Sequence, residues 1–382
     1  MQKIKVAHVI YNLQRGGAER LTLDICRELN SRIDFETLLI VFDVQNDFAE
    51  ASEGINIVVC SSKVFLKFPW KIVSDLNDWN ALMLKFKPEV IHSHLFYADW
   101  VSRESLYEDV AYFSHIHGIT TQYESIAPRK WLSRQHAIRI IINRHIKKQY
   151  RFCHNQFIAN SQVTFRYLVN TLKWDTSGIH LLPNGIDRLK FTRKKNSFSK
   201  NIIKLVTTGS LNENKNQAFL ILVVMKLQGK GFQVRLDILG DGHLFGDLEK
   251  QIKASHLENT VHLHGMVTDV ESHLKDGDVY VHTAINESFG LAIAEALAVG
   301  LPVVSLDGRG NREIIEDGYN GFMVNSQDAT IFADKIADIV KDENTYFEFS
   351  NQAFESSKKH DLRQYVDKLE LLYKNEMQYR KR

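Results

Sequence analysis

Cysteine is scarce. There are three in 382 residues, Cys26, Cys60 and Cys153, and no two form a Cys-x-x-Cys pair. So few thiols, so spaced, argue against a disulfide framework or a structural zinc site, and a reducing cytoplasm fits them best. Long apolar runs are missing too. The run Val6–Ile10 is too short for a signal peptide and lacks a small-residue cleavage pattern. Nothing approaches the ~18 uninterrupted apolar residues of a spanning helix, so any membrane association is expected to be peripheral. An excess of one charge is also absent: 48 Lys and Arg against 46 Asp and Glu leave a formal net charge of +2. That balance does not mark a nucleic-acid binder, and no reader motif for nucleic acid is present. What remains is 44% hydrophobic and 25% charged, an ordinary globular composition that excludes a collagen-like or largely disordered chain. At ~150 residues per domain, the length suits two domains, each large enough for its own core.

Short apolar runs alternate with longer helix-spaced stretches. Runs such as Lys5–Ile10, Val90–His92, Ile203–Thr207 and Asp278–Thr283 read as buried strands. Ala18–Leu29, Asp75–Lys85, Ala218–Gln228 and Leu291–Val299 read as helices. Strand and helix in alternation imply parallel sheets built from βαβ units. The pattern restarts at Ile203, after the turn chemistry of Pro183-Asn184-Gly185 and a polar stretch, Arg193–Asn201. Two doubly wound Rossmann-like domains are therefore expected, 1–190 and 191–361, facing a central cleft. A final helix, 362–382, is expected to return to the first domain. Such sheets bind ligands at the carboxyl ends of their strands.

The segment richest in chemistry is 278–324. A buried strand ends at Thr283, a short loop carries Glu287, and Phe289-Gly290 opens a helix. Free N–H groups and the positive dipole end of a helix start favour a phosphate. Glu287 stands just before those groups, and Glu295 follows about two turns later. A carboxylate can accept both hydrogen bonds of a vicinal diol, as on ribose or a hexose. Spacing alone equally allows Glu287 as a cap and Glu295 as a solvated helix residue.

These residues resemble a known family. Glu287-Ser-Phe-Gly-Leu291 followed by Glu295-Ala296 is similar to the two-glutamate motif of retaining glycosyltransferases of family 4, which have the GT-B fold and often assemble bacterial polysaccharides. The resemblance runs along almost the whole chain: Gly16-Gly17-Ala18-Glu19, His94, His115-Ile-His117-Gly118, Asn160-Ser161, Pro183-Asn-Gly-Ile-Asp187, Gly209 with Lys215, Gly240-Asp-Gly242, Ala298-Val-Gly-Leu-Pro302, Glu313 and Gly318-Tyr-Asn-Gly321. It implies an enzyme moving a hexose-type sugar from a nucleoside diphosphate sugar to a glycan acceptor, a lipid-linked one in capsule, O-antigen or exopolysaccharide assembly. The catalytic positions would be Glu287, on the donor sugar's hydroxyls, and His117, near the anomeric carbon. Phe289, Gly290 and Leu291 would present backbone N–H groups to the donor, and Glu295 would hold the ribose diol. Lys215 would neutralise the diphosphate, while Gly16 and Gly17 would close over it. Backbone near Gly265–Val267 would contact the base, and His94 would lie on the acceptor side. No cofactor and no metal are implied beyond the donor itself. A nucleotide-sugar epimerase, a hydrolase or a phosphorylase would share this shape, as would a catalytically silent nucleotide-sugar-binding partner subunit.

Two departures stand out. The family often places an arginine after the strand-end glycine, where this chain has Ser210, which offers a hydrogen bond but no charge. The silent-partner reading draws on that loss, and Arg312 is a candidate replacement. Asp307-Gly308-Arg309-Gly310 replaces a more usual Gly-Gly. An Asp near a diphosphate could suggest a metal, but no Asp-x-Asp, the usual metal-diphosphate signature of the other nucleotide-sugar fold, is read in the chain, so a solvated Asp307 rather than a metal ligand is expected. His8, His92, His94, His115 and His117 cluster near strand ends without a zinc spacing, so most are expected to be core histidines with satisfied hydrogen bonds.

Net charge also hides an asymmetry. From Ser125 to Trp174 there are ten Lys and Arg and no Asp or Glu. Ile138, Ile141, Ile142, Ile146 and Tyr150 share one helical face there, with Trp131 and Leu132 adding apolar bulk. A basic amphipathic helix suits an anionic membrane surface, with Arg144, Lys147, Lys148 and Arg151 as its contacts. The same pattern suits a helix packed on a sheet with its bases in water. Peripheral attachment on the cytoplasmic side of a membrane is the expectation.

Overall fold

The structure, a computed structural model, describes residues 3–67, 71–120, 122, 134–194, 198 and 201–380. Trp131, Leu132, Arg129 and Lys130 lie outside the described residues. The chain divides into two compact units: Met1–Gly185 with Leu362–Arg382, and Ile186–Asp361.

The first unit is built on β1 (Ile4–Ile10), β2 (Phe35–Val41), β3 (Ile57–Val59), a side hairpin of β4 (Lys63–Lys67) and β5 (Lys71–Asp75), then β6 (Val90–His94), β7 (Ala111–Ile116), β8 (Gln156–Ala159) and β9 (Ile179–Leu181). Seven of these form one sheet in the order β3-β2-β1-β6-β7-β8-β9, with every pair parallel. The second unit holds β10 (Ile203–Thr208), β11 (Val234–Leu239), β12 (Val261–Gly265), β13 (Val279–His282), β14 (Val303–Leu306) and β15 (Gly321–Val324). These form a six-stranded parallel sheet in the order β12-β11-β10-β13-β14-β15. In each sheet the strand order reverses beside the first strand, between β1 and β6 and between β10 and β13. Ligand crevices open at such points.

Both faces of the second sheet are covered. Leu205, Leu236, Val281 and Val304 enter one apolar cluster, while Val206, Tyr280 and Val303 enter the other. Double burial explains why these strands read as continuous apolar runs rather than alternating ones. The hairpin escaped that reading because its alternate residues, such as Lys63, Phe65 and Lys67, are exposed. The stretch expected to be a helix from Asp75 begins helix only at Asn77, because Asp75 ends β5.

Five helices matter below: α1 (Gly17–Asn30), α2 (Arg134–Phe152), α3 (Ala218–Gly229), α4 (Leu291–Ala298) and α5 (Leu362–Arg380). Helix α5 completes the first unit. Arg32 near the end of α1 pairs with Glu370 at 2.7 Å and Asp367 at 2.8 Å, and Tyr373 is fully buried against Phe113.

The chain leaves the first unit and returns to it side by side. Ile186 and Asp361 form a parallel bridge, and a Cβ on Gly185 would stand 2.8 Å from both Leu362 Cα and Tyr365 Cβ. No side chain fits there. Gly185→Ala should therefore cost about 1–3 kcal/mol through overpacking, read as a lowered urea midpoint with earlier proteolytic release of α5. An unchanged midpoint would contradict this account of the crossing.

Candidate active site

In the second unit the site forms where β10 and β13 end. Asn214 ties the two loops together: its Nδ2 donates to Asn286 O at 2.9 Å, its Oδ1 accepts from Asn286 N at 3.0 Å, and its carbonyl accepts from Ile285 N at 2.8 Å. That staple sets Lys215 against Glu287. Lys215 Nζ donates to Glu287 Oε2 at 2.7 Å across 72 positions of sequence. His282 Nε2 lies 3.2 Å from the same oxygen but outside hydrogen-bond geometry. Burial alone would push the Glu287 carboxyl up; the His282 ring and the Lys215 ammonium overcome it and hold the group well below its ordinary value. Glu287 is therefore an anion throughout the neutral range. His282, inside the apolar run of β13, was not singled out from sequence.

Three residues later the chain turns sharply. Gly290 has φ 104, a conformation suited to glycine, and caps α4 without a side-chain hydrogen bond. Its carbonyl accepts from Ile293 N and Ala294 N. The N–H groups of Phe289, Gly290 and Leu291 have no acceptor among the described residues. The Phe289 side chain is buried against His360, so only its backbone can serve a ligand. Glu295 lies one turn into α4, nearer the helix start than its spacing from Glu287 suggested. Burial, aided by the charges of Glu295 and Glu287, holds the Tyr280 phenol above its ordinary value.

Other expectations need correction. Arg312 is not a free base for a phosphate, since Asp307 holds it with Nε at 2.8 Å. Asp307 is accordingly half-buried and paired rather than solvated, and it also accepts from Arg309 N at 3.0 Å. Ser210 is exposed, and its carbonyl accepts from Gln217 Nε2 at 3.1 Å. An Asp-x-Asp does occur, at Asp276-Gly277-Asp278, but it enters β13 at the end away from the site. Lys204 lies 2.5 Å from Asp276 and Lys194 3.8 Å from Asp278.

In the first unit Gly16 precedes α1 in an extended conformation, again without a side-chain cap. A Cβ there would collide with the Glu19 carboxylate. Nearby, parallel register stacks five imidazoles on one face of the sheet: His8 opposite His92, and His94 opposite His115, with His117 just beyond β7. His94 Nδ1 is 2.9 Å from His117 Nε2, and His94 Nε2 is 3.1 Å from His8 Nδ1. His94 is wholly buried and bonded on both ring nitrogens, so it stands behind His117 rather than at a surface. The expectation of satisfied core histidines fails at four atoms of the cluster: His8 Nε2, His92 Nε2 and both ring nitrogens of His115 have no hydrogen-bond partner among the described residues. Two triads, His8–His92–His94 and His94–His115–His117, each bring three ligand atoms within 4.8 Å of one another. Sequence spacing could not show this, because the rings come from three strands. Leu95, next to His94, has φ 68 and ψ 161, a strained backbone at the strand end.

Burial holds all five imidazoles below their ordinary value, His8 and His117 down to about 3. The unfolded chain takes up protons below pH ~6.5 that the folded chain cannot. Stability is thus fully present above that pH and falls as pH drops, and unfolded carboxylates join only near pH ~4.5. Between those limits each buried histidine contributes a slope of up to about 1.4 kcal/mol per pH unit. His92→Phe should make the loss of urea stability shallower by about that slope; an unchanged slope would contradict the assignment.

Comparison with known proteins bears on both units. A family profile described as Glycosyltransferase Family 4 matches residues 15–188, and one described as Glycosyl transferases group 1 matches residues 190–356. The putative glycosyltransferase EpsD of Bacillus subtilis is 35% identical over 147 residues, 38% of each chain. EpsF of the same organism, also a putative glycosyltransferase, is 22% identical over 322 residues, 79% of each chain. The poly(glycerol-phosphate) alpha-glucosyltransferase of Bacillus subtilis is 33% identical over 136 residues, 35% of this chain and 20% of that one. The matched stretch thus spans a fifth of the glucosyltransferase and under two fifths of EpsD. Among solved structures, Anabaena HepE in complex with UDP and glucose superposes with a TM-score of 0.76 at 21% identity, covering 97% of this chain and 99% of that one. Sucrose-phosphate synthase from Thermosynechococcus elongatus gives 0.74 at 14% identity, covering 98% and 99%. The two parallel sheets, the strand orders and these matches together place the chain in glycosyltransferase family 4, with the GT-B fold.

Proposed function

We propose that the chain is a retaining glycosyltransferase that moves a hexose from a nucleoside diphosphate sugar to a lipid-linked glycan acceptor. One observation carries this reading: the open N–H groups before α4, the Lys215 ammonium and the ionised Glu287 converge at one strand-end crevice. A diphosphate fits the first two, because helix-start N–H groups and a cation stabilise the charge that grows on a leaving diphosphate. Glu287 and Glu295 accept from sugar hydroxyls. The crystallised complexes of HepE with UDP and glucose, and the names of the bacterial relatives, support the donor class.

In the reaction the bond from the anomeric carbon to the diphosphate oxygen breaks, and the acceptor oxygen bonds to that carbon on the same face. The acceptor's proton passes to the departing diphosphate. His117 orients the donor sugar as a neutral imidazole, and His94 and His8 hold its ring behind it. Gly16 and Gly17 allow close approach to the phosphates. No metal takes part in this scheme.

The test is a transfer assay on lipid extract with UDP-, GDP- and ADP-sugars in the presence of EDTA. A ligand at a hundred times its dissociation constant should add ~2.7 kcal/mol of stability, which picks the donor. Glu287→Ala should lower turnover on the order of 100-fold or more through lost positioning. Unchanged turnover would remove the assignment. Free epimerised sugar without acceptor would mark an epimerase, and donor binding with no transfer would mark a silent partner.

A membrane role for α2 is the second part of the proposal, in a revised form. Ile142, Ile146 and Tyr150 are buried in the first unit's core, so the apolar face is already used. No helix among the described residues is long and apolar enough to cross a membrane. What remains outward is Arg144, Lys148 and Arg151, with Lys147 half-buried, and Phe152, which is 61% exposed. Attachment to the cytoplasmic face of an anionic membrane would then be mainly electrostatic, at about 1 kcal/mol per base near the surface. Co-sedimentation with anionic vesicles should weaken with salt and vanish when Arg144, Lys148 and Arg151 become Glu. Persistent binding by that variant would contradict the proposal.

A further inference from the structure

The loop after β14 holds an arginine where its backbone favours glycine. Arg309 has φ 77 and ψ −60, and Gly310 N donates to Gly308 O at 3.2 Å across it. This is a γ-turn of the rare positive-φ kind, strained for any residue with a Cβ. Strain of this sort concentrates at functional sites. Its neighbours are glycine for reasons of space. A Cβ on Gly308 would stand 2.8 Å from Glu287 Cβ, and one on Gly310 would overlap the backbone of Ser288.

The turn is built against the active-site loop. Glu287 N donates to Gly308 O at 2.8 Å, Gly310 N donates to Glu287 O at 2.9 Å, and Glu287 and Arg309 form a parallel bridge. Arg309 therefore begins one strand spacing, about 4.8 Å, from Glu287. Its side chain is exposed, and its guanidinium has no hydrogen bond or ion pair among the described residues. The other bases of the site are engaged: Lys215 with Glu287 and Arg312 with Asp307. Lys215 is shared with Glu287 and Ser210 brings no charge, so among the described residues of these two loops Arg309 is the cation whose head group is left for a diphosphate.

We propose that Arg309 binds the diphosphate of the donor, supplying from the loop after β14 the guanidinium that Ser210 does not supply after β10. A guanidinium fork matches two phosphate oxygens at once, and the strained turn aims it toward the loop that carries Glu287. This inference rests on the nucleotide-sugar reading above.

The test uses the full chain, calorimetry with UDP, GDP and ADP, and thermal unfolding. Arg309→Gly should unfold at a higher temperature, because glycine accepts the turn, yet bind the preferred nucleoside diphosphate at least ~10-fold more weakly. Arg309→Lys should fall between, since it keeps the charge without the fork. Affinity for the matching nucleoside monophosphate should fall less. If Arg309→Gly keeps the affinity while Lys215→Met loses it, this inference is overturned and the nucleotide-sugar reading stands. A rise confined to the acceptor's KM would also overturn it. If the wild-type chain binds none of the three nucleotides, the nucleotide-sugar reading fails and takes this inference with it.

Discussion

The Lys215–Glu287 pair is the contact on which the second unit's site depends. It joins loops from two neighbouring strands, and it keeps a largely buried carboxylate ionised. Removing Lys215 would leave the largely buried Glu287 carboxylate without its counterpart, which costs far more than the pair itself contributes. Two further contacts hold it in place. The Asn214 hydrogen bonds fix the register of the two loops, and the 308–310 turn closes against the loop of Glu287. In the proposed reaction, a diphosphate arriving at Lys215 would loosen the pair and leave Glu287 for sugar hydroxyls.

The first unit works through a different constraint. A parallel sheet buried on both faces has little room for polar groups, yet five imidazoles lie on one of its faces. Burial keeps them neutral, and two ring-to-ring hydrogen bonds tie His117 through His94 to His8. His92 meets the Tyr373 hydroxyl at 2.6 Å. Helix α5 therefore covers the cluster as well as completing the unit. The position of His117 is supported from well below the surface.

Some of this was legible before any coordinates. The strands of both sheets showed as apolar runs because parallel strands are buried on two sides. The two-glutamate segment showed because its residues are near neighbours in sequence. The contacts that give those residues their properties were hidden. Lys215 meets Glu287 across 72 positions, and the histidine bonds cross three strands. His282 was masked by its apolar surroundings in β13. The basic stretch left two readings open for a physical reason: an apolar helical face looks the same whether a sheet or a lipid surface covers it, and for Ile142, Ile146 and Tyr150 of α2 the sheet does. Arg312 misled similarly, since only the fold shows that Asp307 already holds it.

The central claim is that a nucleoside diphosphate sugar sits at the strand-end crevice of the second unit. A crystal structure of the full chain with its preferred nucleotide sugar tests this most directly. The account predicts diphosphate oxygens within hydrogen-bond distance of Lys215 Nζ and the N–H groups at Gly290–Leu291, with sugar hydroxyls on Glu287. A nucleotide bound elsewhere, with the Lys215–Glu287 pair untouched, would contradict it.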